Sequence, residues 1–60
     1  MLEKEMLLGL PKEMKLGLLE DANKQGEHGI VFQMMKILLD APISEGGISS
    51  DEIQEVLGMK

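Results

Sequence analysis

Cysteine is absent from this chain, and its absence excludes disulfides and thiolate metal sites. Arginine is absent too, since all six basic residues are lysine. The chain therefore lacks the planar, forked donor that best grips phosphates and guanine edges. Tryptophan and tyrosine are missing, and Phe32 is the single aromatic residue, so no platform for stacking bases can be assembled. One histidine, His28, is too few for a structural zinc site. No apolar run approaches the roughly 20 residues of a membrane-spanning helix. Met1-Leu2-Glu3-Lys4-Glu5 also lacks the basic start and long apolar stretch of a signal peptide. These absences predict a cytoplasmic protein with no metal, no cofactor and no membrane partner.

What is present is acidic and marginal in size. Eleven Asp and Glu against six Lys give a net charge of −5, which favours solubility and disfavours non-specific contact with nucleic acid. Sixty residues make one domain at most. A compact chain of this mass exposes roughly 3,900 Å² and buries only about 60% of its unfolded surface, so domains of this size are usually reinforced. With disulfides and metal excluded, the reinforcement expected is a second copy or another protein.

The organising stretch is Ile30-Val31-Phe32-Gln33-Met34-Met35-Lys36-Ile37-Leu38-Leu39-Asp40-Ala41, in which nine of twelve residues are apolar. Gln33, Lys36 and Asp40 fall at i, i+3 and i+7, one narrow polar strip on an otherwise apolar cylinder. The pattern predicts a central helix over 28–41, buried nearly all round. Pro42 closes it, because the residue before proline is pushed out of the helical region.

Around it the chain predicts an N-terminal helical arm over 2–9, with Leu2, Met6 and Leu10 on one face, broken by Gly9 and Pro11. A second helix over 11–25 starts at Pro11, where a missing N–H costs nothing, and stops at Gly26. Met14, Leu18 and Ala22 recur at i, i+4 and i+8, with Leu19 adjoining, and form its expected buried face. Glu20 and Lys24 are spaced to pair. Gly17 in its interior either lowers helix stability or admits a close neighbour. Residues 42–47 read as a loop. The last helix, 49–58, has a capping box in Ser49 and Glu52, a hydrophobic staple in Ile48 and Ile53, and a C-terminal glycine in Gly58.

No catalytic signature emerges. Ser49 and Glu52 are accounted for as a cap, and His28 has no nucleophile or orienting acid at a defining spacing. Gly26-x-x-Gly29 and Gly46-Gly47 continue into no phosphate-loop motif. Asp51, Glu52 and Glu55 lack the ligand order of a calcium loop. Met34 and Met35, with Met6 and Met14, suit core filling first and an adaptable binding groove second. The protein is not expected to be an enzyme.

Residues 34–60 resemble the first two helices of a winged-helix or helix-turn-helix domain. The likeness lies in Ile37-Leu38-Leu39, a loop, Ile48-Ser49, and then Asp51-Glu52-Ile53-Gln54-Glu55-Val56-Leu57-Gly58-Met59. It implies that Ile53 and Leu57 hold the first motif helix on the core, and that Gly58 takes the left-handed turn. Gln54 departs from the family, which has a small residue there. The recognition helix would begin at Lys60, and residues 42–60 carry a net charge of −3. A complete DNA reader is therefore not expected within these residues.

The sequence thus predicts an all-α fold, a small three-helix domain with a short N-terminal helical arm, completed by oligomerisation. The function expected is that of an acidic protein-interaction module, homodimeric and set in transcriptional regulation. Leu2, Met6, Leu7, Leu8, Met35 and Leu39 are its expected interface. The alternative is a DNA-binding regulator, or a fragment of one, contacting phosphates through Lys12, Lys15 and Lys24.

Overall fold

Two turn-making glycines and two prolines divide the chain where the sequence places its breaks. The computed structural model describes residues 3–59, and among them the architecture is all-α. The order is α1 (Lys4–Leu8), α2 (Lys12–Lys24), α3 (His28–Asp40), a 3-10 turn (Ile43–Glu45) and α4 (Ser50–Val56). Pro11 stands just outside α2, one position before the first turn, with φ −58° and ψ 149°. Both α2 and α4 end in a glycine with positive φ, Gly26 at 76° and Gly58 at 75°. At each end the orphan carbonyls are closed by the same pair of reverse bonds. Glu27 N–H donates to Ala22 at 2.9 Å and Gly26 N–H to Asn23 at 3.2 Å; Met59 N–H donates to Gln54 at 2.9 Å and Gly58 N–H to Glu55 at 3.2 Å. Ala41, before Pro42, is extended and ends α3.

α3 packs on α1 and α2, while α4 docks chiefly on α2. The core is Leu7, Leu19, Val31, Met34, Leu38, Ile48 and Ile53. Ile48 and Ile53 are both buried beside the start of α4, as a hydrophobic staple requires. The body measures 27 × 26 × 17 Å, so its short dimension holds about two layers of helix. A disc this thin covers α3 from one side. The expectation of a central helix buried nearly all round is therefore corrected: Val31, Met34 and Leu38 are buried, whereas Phe32 and Leu39 are exposed.

Three local expectations also shift. In α2 the buried residues are Lys15 and Leu19, while Met14 and Leu18 face solvent, so the helix is turned by about one residue from the face the apolar spacing suggests. In α1 the residue that enters the core is Leu7, and Met6 is 69% exposed. Ser49 stands at the N-cap of α4 with extended backbone, but its side chain makes no capping bond. The Glu52 carboxylate pairs instead with Lys12 of α2.

The turn of α2 has a specific cause. Lys15 is only 4% exposed, and its Nζ donates to the backbone oxygens of Gly46 at 2.6 Å and Leu8 at 3.3 Å. The aliphatic stem is buried while the ammonium satisfies a carbonyl at the end of α1 and another in the 42–47 loop. The loop itself is pressed against two helix ends. A Cβ on Gly46 would collide with the Leu8 carbonyl, and one on Gly47 with that of Ala41, while standing 2.9 Å from that of Leu38. Gly46 also has φ 102°, a conformation that side chains resist.

Candidate functional site

The apolar arc of α3 is wider than the seam it buries, so apolar side chains emerge on both sides of that seam. On one side Phe32, Met35 and Leu39 recur at i, i+3 and i+7 and lie along a single strip. Phe32 is 65% exposed and Leu39 47%, with Met35 half-buried between them. Leu39 also borders a shallow depression with Lys4, Lys36 and Asp40. On the other side a groove runs between α2 and α3. Leu18, Ala22, Ile30 and Met34 form its apolar lining, and Asp21 and Glu27 stand at its edge.

The interface residues expected from the sequence separate on this structure. Leu39 and Met6 are exposed, and Leu8 and Met35 are half-buried. Leu7 is 2% exposed and belongs to the core, which corrects its assignment as a contact residue. Leu2 lies outside the described residues. Phe32, the most exposed member of the strip, was legible as a surface residue from its neighbours. Lys36, at i+4, places it beside the polar strip.

The lysines expected to meet DNA phosphates are engaged within the chain. Lys15 is buried against two carbonyls, so its assignment as a phosphate contact is corrected. Lys12 pairs with Glu52, and Lys24 with Glu20 at 3.8 Å. His28 is an exposed residue at the first position of α3. Among the described residues, no group of three or more His, Asp or Glu side chains is placed to hold a metal ion. Among the same residues, no helix is long and apolar enough to cross a membrane.

Fold and surfaces together define a small all-α domain whose distinguishing features are an exposed apolar strip and an apolar groove. Comparison with family models, curated proteins and solved structures gives no match to this chain.

Proposed function

We propose that this protein is an acidic protein-interaction module that associates with a second copy through the outward face of α3. The observation that carries the reading is the strip Phe32, Met35, Leu39, which holds the chain's single aromatic residue out in solvent. Scattered exposed apolar residues are ordinary, but a contiguous apolar strip on one helix is characteristic of contact surfaces. A two-fold contact on this strip would take its apolar side chains out of water. Transcriptional regulation is the setting we attach to the module, on the likeness of residues 34–60 to the first two helices of a winged-helix or helix-turn-helix domain. In keeping with that likeness, Ile53 is buried and Gly58 is left-handed.

Sedimentation equilibrium over a wide concentration range tests the reading. The wild-type chain is expected to dimerise, and Leu39→Glu or Phe32→Ser to weaken dimerisation at least tenfold, about 1.4 kcal/mol. Circular dichroism should show the helices unchanged, because neither side chain is in the core. A wild-type monomer at every concentration, or Leu39→Glu and Phe32→Ser variants that associate as wild type does, would overturn it.

A further inference from the structure

The α2–α3 groove differs from the outward strip in its charge. Its floor is apolar, from Leu18 and Ala22 on α2 and Ile30 and Met34 on α3. Both charged residues lining it are acidic, Asp21 on α2 and Glu27 at the start of α3, and no lysine lines it. Lys24, the nearest cation along α2, is paired with Glu20. The chain as a whole carries −5, so its long-range field reinforces the local one.

We propose that this groove docks a short amphipathic helix of another protein, one that presents a large apolar anchor flanked by lysine or arginine. Three properties select that occupant. An anchor of leucine or methionine size matches a floor of aliphatic and thioether side chains. Basic flanks match the two carboxylates, which would set orientation and accelerate encounter more than add raw affinity. A helical ligand follows from the walls. Both are helices with no free strand edge, so an extended segment would find no backbone partners, whereas a helix satisfies its own. Along α2 and its C-cap the lining runs from Leu18 to Gln25, seven residue steps or about 10 Å, room for two turns of ligand. A second copy of this acidic chain is a poorer match to an acidic rim.

The test uses the wild-type chain and two synthetic helical peptides of identical apolar pattern, one flanked by lysines and one by glutamates. Methyl and amide NMR shifts locate binding, and fluorescence anisotropy measures it. The lysine peptide should bind at least tenfold more tightly than the glutamate peptide and shift Leu18, Ile30 and Met34. Asp21→Asn with Glu27→Gln should lower its affinity several-fold and flatten its salt dependence, while leaving helicity unchanged. Equal binding of the two peptides, indifference to the double substitution, or shifts centred on Phe32 and Leu39 would overturn the proposal. So would groove shifts on concentrating the protein alone, because they would make a second copy the occupant. The groove and the strip report through different residues, so either reading can fail without the other.

Discussion

The ammonium of Lys15 lies 2.6 Å from the carbonyl oxygen of Gly46, thirty-one residues away in sequence. One charged side chain thereby fastens α2 to the loop that precedes α4, and through Leu8 to the end of α1. Charge-assisted bonds to carbonyls are stronger than neutral ones, and the carbonyl at the end of a helix carries the negative pole that a cation favours.

Lys15→Met keeps most of the buried stem and removes the charge. It leaves two carbonyls without their donor, which costs about 1–3 kcal/mol. Urea denaturation should show a lower midpoint at unchanged slope. A midpoint equal to wild type would mean that water serves both carbonyls equally well.

The orientation of α2 is tested by comparing two truncations. Leu19 is fully buried, so Leu19→Ala should cost about 2–5 kcal/mol. Met14 is 54% exposed, and Met14→Ala should change stability by less than about 0.5 kcal/mol. The reverse ranking in thermal or chemical melts would restore the face that the apolar spacing suggests.

Two glycines should respond in opposite senses. Nothing lies within 4 Å of a Cβ built on Gly17, in the middle of α2, so no close neighbour requires that glycine. Gly17→Ala should stabilise the chain by about 0.5–1 kcal/mol through helix propensity. Gly47→Ala drives a methyl into the Ala41 carbonyl and disturbs the bond from Ile48 N–H to the Leu38 oxygen, with an expected loss of about 3 kcal/mol. Calorimetric melting temperatures on both variants check the pair.

Lys12 and Glu52 join α2 to α4 while still partly in solvent, with side chains 56% and 36% exposed. A double-mutant cycle should return a coupling of less than about 1 kcal/mol, shrinking as salt is added. A coupling above about 2 kcal/mol that ignores salt would show the pair to be desolvated.

Much of the fold was legible because its boundaries are written in backbone chemistry. Pro11, Gly26, Pro42 and Gly58 each stop or start a helix close to where their own geometry demands. Faces were less legible. Apolar spacing alone favours Met14 and Leu18 for the core of α2, since nothing local marks Lys15 as a buried lysine. Its partners, Leu8 and Gly46, are supplied by the tertiary fold. The same limit applies to Glu52, whose local signal is a helix cap but whose partner stands on another helix. The candidate surfaces were legible in part. Met35 and Leu39 could be placed on α3, whereas the α2–α3 groove appears only once the two helices are set side by side.

Gly46 touches the end of α1 at Leu8, thirty-eight residues away in sequence. Loop closure of that span must precede the contact it secures, so the seal between α1 and the 42–47 loop forms late. During synthesis α1 would meet α3 before this seal exists. The core would stay incomplete until Ile48 and Ile53 are free, and the nascent chain would present an unfinished apolar surface up to that point.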